Sequence, residues 1–290
     1  MKDKSQMVSK DDNGKDIKRF PAELPPGWKH ISGEGVGPFV TKAILRHPEG
    51  RIVTWKSRDT RKRHSVLEVD RGSTWWAPGA VGWWIGVLFA IGAFCFAIAS
   101  LPYYSLGVGR SADGITFFIG SLFFTTAAFL QYFEAANALE SLKIDGREIK
   151  FFTWEPKRID WWSTLVQLTG TLFFNINTFE AINNSFIPFQ VNRFVWTPDV
   201  LGSVCFLLAS SLAWFEVVHS LWAWKYRNIS WWIVALNLLG SIAFGISAIC
   251  AYTILSTGYQ ISAVLVNTTT FIGAICFFVG ALLLLPERTN

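Results

Sequence analysis

A short signature occurs six times along the chain, each time inside a separate long apolar segment. It is a glycine, then alanine, serine or threonine, then any two residues, then phenylalanine. About 20 apolar residues are enough for a helix to cross a ~30 Å hydrocarbon core, so six transmembrane helices are predicted. The segments are roughly 82–102, 115–137, 162–184, 200–223, 232–255 and 263–285, and the glycines are Gly92, Gly120, Gly170, Gly202, Gly240 and Gly273.

The six copies alternate between two kinds. In the first, third and fifth, a tryptophan pair precedes the glycine, and its first member lies nine positions back. In the second, fourth and sixth, a glutamate follows the glycine by fourteen positions. This alternation predicts an all-α, six-helix transmembrane bundle over 81–287, built from three tandem two-helix repeats at 82–137, 161–223 and 231–287. The pairs are Trp83-Trp84, Trp161-Trp162 and Trp231-Trp232, and the glutamates are Glu134, Glu216 and Glu287.

Helix geometry assigns these residues to faces. At about 100° per residue, the phenylalanine and the glutamate lie within roughly 40° of the glycine, whereas the first tryptophan lies about 180° away. Small residues let membrane helices approach closely. We therefore expect the six glycines to pack on neighbouring helices and the first tryptophan of each pair to face lipid.

Composition and charge support a membrane protein. The chain is 51% hydrophobic and only 16% charged, which is too apolar for a soluble domain of 290 residues. Of its 26 Lys and Arg residues, 24 fall on one side of the predicted spans, and only Arg110 and Arg193 on the other. The positive-inside rule then places both termini in the cytoplasm, most simply at the plasma membrane. All four cysteines lie within apolar segments without metal-ligand spacing, so they are predicted to be packing residues.

The N-terminal region divides in two. Residues 1–39, rich in Lys, Asp, Pro and Gly, are predicted to be a disordered tail. Residues 40–80 form a small basic cytosolic segment, in which two short β-type runs flank the turn at 48–50 and predict a β-hairpin. The later loop at 146–154 repeats part of this pattern and is a candidate third strand. The basic run after the hairpin is predicted to bind anionic lipid headgroups, the alternative being a solvated charged face; it contains Arg58, Arg61, Lys62 and Arg63.

Two sets of polar residues are candidates for a solute pathway. Glu134 and Glu216 lie at membrane depth, where ionisable residues often mark ion or proton paths, although they also fit as helix-end groups paired with Lys or Arg. Glu287 is expected at the interface. Asn177, Glu180 and Asn184 share one face of the third apolar segment by their spacing.

The second set includes polar residues of the sixth segment. If Asn267 and Thr270 meet the polar face of the third segment, a polar outward-facing cavity results. The alternative is interhelical hydrogen bonding worth about 1 kcal/mol per contact.

Enzyme chemistry finds no support in the sequence. It holds no nucleophile elbow, no phosphate-binding loop and no paired histidines, so no catalytic residue, metal or cofactor is expected. The expected partners are membrane lipids, with anionic headgroups at the basic run; a homo-oligomer is left open, and no nucleic acid is expected. Two functions remain: a small-solute or ion channel or transporter, or a scaffold or sensor whose basic segment binds lipid headgroups or a protein.

Part of the sequence resembles a known family. Mitochondrial solute carriers also have three two-helix units, but none of the odd-numbered apolar segments carries their Pro-x-acid-x-x-base signature. Three stretches of the membrane part carry a second resemblance: Gly120 to Glu134, 167–175 and 202–206. Over these stretches the chain is similar to bacterial multi-pass membrane proteins with a YrhK-like domain. It implies a multi-pass membrane protein and no particular activity.

Overall fold

The computed structural model describes residues 19–21, 24, 26–62, 75–139, 149–219 and 223–287. Three strands precede the helices: β1 (Lys29–Glu34), β2 (Lys42–Arg46) and β3 (Ile52–Lys56). The helices are α1 (Ser57–Arg61), α2 (Val81–Ala99), α3 (Pro102–Val108), α4 (Arg110–Asn137), α5 (Ile159–Glu180), α6 (Pro188–Gln190), α7 (Thr197–Val218), α8 (Ile229–Cys250) and α9 (Ala263–Glu287). A π-helical turn, Val191–Trp196, leads directly into α7.

The six long helices form a closed ring. α2 packs against α4 and α9, α5 packs against α4 and α7, and α8 packs against α7 and α9. Neighbouring helices along the chain run antiparallel: Gly92 of α2 lies against Phe124 of α4, and Gly120 of α4 lies against Phe96 of α2. The sheet lies where α2, α5 and α8 begin, which we call the sheet end, and the opposite end is the far end.

The signature residues hold the ring together in reciprocal pairs. A Cβ atom on Gly92 would lie 2.8 Å from the ring of Phe124, and one on Gly120 would lie 2.9 Å from the ring of Phe96. Each glycine therefore receives the phenylalanine of the partner helix, and the backbones approach closely. The same exchange joins Gly170 to Phe206, Gly202 to Phe174, Gly240 to Phe277 and Gly273 to Phe244.

Five of the six long helices are, by length and composition, able to cross a membrane: α2, α4, α8, α9 and the continuous helix Pro188–Val218 that contains α7. These five point to an integral multi-pass membrane protein. α5 is not among them, although it has 22 residues. Its amides, hydroxyls and acids make it more polar than its neighbours.

The first tryptophan of each pair does not face lipid, so that prediction was wrong. Trp83, Trp161 and Trp231 are only 2–8% exposed. In each case, the indole N–H donates to the backbone carbonyl eight residues earlier, because the preceding loop folds back over the start of the helix. The acceptors are Trp75, Thr153 and Ala223, at 2.8, 3.2 and 2.9 Å. The second tryptophan is the more exposed one, at 45% for both Trp84 and Trp232.

The N-terminal region forms a three-stranded antiparallel sheet in the order β1-β2-β3. β2 and β3 form a hairpin over the predicted turn. β1 lies within residues 1–39, which corrects the prediction that this whole stretch is disordered. It takes the place of the 146–154 loop as third strand, and the described part of that loop, 149–154, contains no strand. A small apolar core that includes Trp28, Leu45 and Trp55 supports the sheet.

Candidate functional site

A short basic helix closes the sheet end of the ring. α1 follows β3 directly and contacts α4, α5 and α7. The Nε of Arg58 donates a hydrogen bond to Glu287 at 2.6 Å. Lys62 binds the other oxygen of the same carboxylate. Arg61 is only 2% exposed, and its Nη2 atom lies 3.6 Å from Oε2 of Glu216.

The three repeated glutamates converge on this helix. Glu134, Glu216 and Glu287 are all buried. The carboxylate of Glu134 is close enough to attract the ammonium group of Lys62, and the carboxylate of Glu216 attracts the guanidinium group of Arg58. One carboxylate from each of α4, α7 and α9 thus faces the cations of α1. Because burying an isolated charge is unfavourable, this pairing of opposite charges is what permits the cluster to form.

The contacts of α1 differ from the predicted headgroup role. Buried Arg58, Arg61 and Lys62 are paired inside the bundle and do not present their charges to lipid, and Arg63 lies outside the described residues. Glu287, expected at the interface, is likewise buried.

The two partners of Glu287 respond differently to burial. Burial opposes the charge on Arg58, but the attraction and hydrogen bond of Glu287, together with the charges of Glu216 and Asp59, outweigh it and raise the pKa of Arg58 above its ordinary value. For Lys62, burial prevails over the attraction of Glu287, and the pKa of its ammonium group is lowered.

Six signature phenylalanines fill the centre of the ring. Phe124, Phe206 and Phe277 form one layer, with ring centroids 5.7–6.3 Å apart. In a second layer, nearer the far end, Phe244 lies 6.0 Å from both Phe96 and Phe174. All six rings are buried, and together they close the axis at its midpoint.

A small polar cavity separates α1 from the phenylalanine layers. Its volume is about 40 Å³, roughly the space of one water molecule. Arg58 bounds it on one side, and Phe206 and Phe277 bound it on the other. Side-chain amides from three helices line it: Gln131, Gln167 and Asn237.

A larger cavity of about 230 Å³ lies at the far end of the axis. Phe96, Phe174 and Phe244 form its floor, and residues from all six long helices contribute to it. Three of the predicted pathway residues meet here: Asn177, Asn267 and Thr270. Since α5 and α9 lie across the ring from each other, these residues face one another over the cavity.

The polar groups of this cavity also bond to neighbouring helices. The amide of Asn177 donates to the carbonyl of Val195 at 3.0 Å. The hydroxyls of Thr270 and Ser247 lie 2.7 Å apart. Both expectations for these residues, cavity lining and interhelical bonding, therefore apply. Glu180 and Asn184 do not line the cavity, and Asn184 donates to Ser111 at the surface, at 3.3 Å.

The sequence prediction missed Asp199, which also lines the far cavity. Pro198 favoured a helix that begins only after Asp199, and this placed the acid in a connection. In the structure the helix begins at Pro188 and includes the π-helical turn. The side chain of Asn192 anchors that turn through two hydrogen bonds to the backbone of Thr253, at 2.7 and 2.9 Å.

A histidine connects the sheet to the ring. Thr41 Oγ1 lies 2.7 Å from His219 Nδ1, just past the end of α7. Burial, reinforced by Lys225 and opposed by Glu34, lowers the pKa of His219 below its ordinary value. A histidine with a lowered folded-state pKa stabilises the docked form above its unfolded pKa of about 6.5, and this contribution is lost as the pH falls below that value.

We therefore expect protease release of the N-terminal sheet to be faster at pH 5.5 than at pH 7.5. The His219→Asn variant should reduce this difference, because asparagine does not titrate and tolerates the left-handed backbone found here (φ 59°). An unchanged pH difference in that variant would assign the effect to another group.

No group of three or more His, Cys, Asp or Glu residues that could hold a metal ion occurs within the described ranges. No family model, curated protein or solved structure matches the chain.

Proposed function

We propose that this chain is a six-span membrane protein of three tandem two-helix repeats that conducts a small solute or ion along the axis of its ring. The observation that carries this proposal is the alignment of two cavities on one axis, each with polar residues in its wall, separated only by the phenylalanine layers. Hydrophobic constrictions of this kind close channels by excluding water. The arrangement is that of a closed state with two seals, the phenylalanine layers and α1.

In this proposal α5 is the sixth span. It lies between α4 and α7 in the ring, and its Asn177 and Thr178 line the far cavity. Polar residues of a membrane helix are tolerated when they face the bundle interior, so low hydropathy does not exclude a span. The distribution of Lys and Arg supports a cytoplasmic location for both termini, and hence for the sheet end, with the plasma membrane as the expected membrane.

Flux through liposomes tests the proposal. Phe206→Ala should raise the flux of potassium, chloride or a small neutral solute by about tenfold or more, because it opens the hydrophobic constriction. Phe94→Ala is the matched control, since Phe94 is 54% exposed on the outside of α2. Equal flux through both variants, each folded by size-exclusion chromatography, would contradict an axial pathway.

The alternative function has less support. A scaffold or sensor whose basic segment binds lipid headgroups requires accessible cations, but Arg58, Arg61 and Lys62 are paired inside the ring. Deletion of residues 1–74 separates the two functions. It should raise flux if α1 is a seal, and it should abolish vesicle or partner binding without flux if the chain is a scaffold. Membership of the YrhK-like group stays a prediction and implies neither function.

A further inference from the structure

Asp199 is a carboxylate without a partner on the wall of the far cavity. None of the described residues donates a hydrogen bond to it or forms an ion pair with it. The helix begins eleven residues earlier, at Pro188, so Asp199 is not a helix cap and gains little from the positive end of the helix dipole. Asp199 is partly buried, so its charge is less well hydrated than in water, and a cationic ligand would offset that loss.

The rest of the cavity wall also favours a cation. Aromatic rings surround the space, among them Phe117, Phe174, Phe244 and Trp196. No Lys, Arg or His is found among the described residues that line it. Aromatic faces attract organic cations, and the attraction is strongest where water is excluded. The wall also carries side-chain oxygens, among them those of Asn177, Asn267 and Thr270, which a bare metal ion would need, so competition with potassium is part of the test.

The π-helical turn explains how these groups come together. A π turn adds a residue to the helical repeat and often occurs at functional sites. Here it directs Val191, Val195 and Trp196 to the same cavity as Asp199. The indole N–H of Trp196 donates a hydrogen bond to the backbone carbonyl of Ala248 at 2.9 Å, and this bond fixes the indole in the cavity wall.

We propose that the far cavity binds a small organic ammonium ion, with Asp199 as its counter-ion and the aromatic side chains around its alkyl groups. The volume of about 230 Å³ admits only a small ligand. This inference deepens the proposed function by naming the class of solute at the mouth of the pathway. It rests on that function only for transport, because binding can be measured without flux.

Calorimetry on the full purified chain tests the site, with choline and its neutral isostere dimethylbutanol as probes. We expect choline to bind at least roughly 30-fold more tightly than the isostere. The isostere lacks the positive charge that would pair with Asp199, and removing one member of such a charge pair weakens binding by about this factor. Asp199→Asn should weaken choline binding by a similar factor. Glu180→Gln is the matched control, since this acid lies at the same end but outside the cavity, and it should leave binding unchanged.

Three results would overturn the proposal: equal binding of the two probes, unchanged choline binding by Asp199→Asn, or displacement of choline by equimolar potassium. If Asp199→Asn does not fold, Phe117→Leu provides the test, with an expected loss of about three- to tenfold and no effect on the isostere. Choline binding with these properties in a chain that shows no flux would support the site and contradict the proposed transport function.

Discussion

Replacing Glu287 by glutamine is expected to lower the free energy of unfolding by about 3–5 kcal/mol, because it leaves Arg58 and Lys62 buried beside a neutral side chain. Both cations bind this one carboxylate, and both are almost fully buried. The loss can be measured by titration with a denaturing detergent, followed by the fluorescence of the 15 tryptophans. Protease release of the N-terminal sheet should accelerate in parallel, since α1 connects that sheet to the ring.

Two further variants identify the cause of this loss. Glu180→Gln removes an acid at the far end that forms no ion pair with any described residue, and it should change stability by less than about 0.5 kcal/mol. A triple variant, Arg58→Met, Lys62→Met and Glu287→Leu, should recover much of the stability, since apolar groups can replace a buried ion cluster at little cost. If Glu287→Gln is as stable as the unchanged chain, the cluster does not hold α1 in place.

Local periodicity predicted the parts of the fold that depend on neighbouring residues. Each of the six apolar runs coincides with a long helix, and the spacing from Gly240 to Phe244 places both on the face that packs. The hairpin of β2 and β3 follows in the same way from two short runs around a turn. Each of these features depends on residues only a few positions apart in the chain, so one sequence is enough to detect it.

The features that the sequence did not predict depend mostly on contacts between residues that are far apart along the chain. Arg58 and Glu287 are separated by 229 residues, and no local pattern indicates which acid a basic run will meet. The burial of Trp161 depends on a loop that folds back on its own helix, which a helical wheel does not include. Asp199 was missed because Pro198 indicated the start of a helix, whereas a π-helical turn extends the helix in the N-terminal direction.

The close approach of the helices leads to the second large expected effect. Gly273→Ala should destabilise the ring by about 1–3 kcal/mol, because a Cβ atom there would lie 2.5 Å from the ring of Phe244 and 3.0 Å from the carbonyl of Gly240. The ring of Phe244 is packed in the phenylalanine layers and the carbonyl is backbone, so neither can move away freely.

Gly245→Ala is the matched control, since Gly245 lies inside α8 and a Cβ atom there would meet nothing within 4 Å. The same change should stabilise the chain at this position by about 0.5–1 kcal/mol, because alanine restricts the unfolded chain and favours helix. The two variants should therefore differ by about 1.5–4 kcal/mol in the same detergent titration. If both lose stability equally, the glycines of the signature act through backbone flexibility, and close helix packing is not the reason for their spacing.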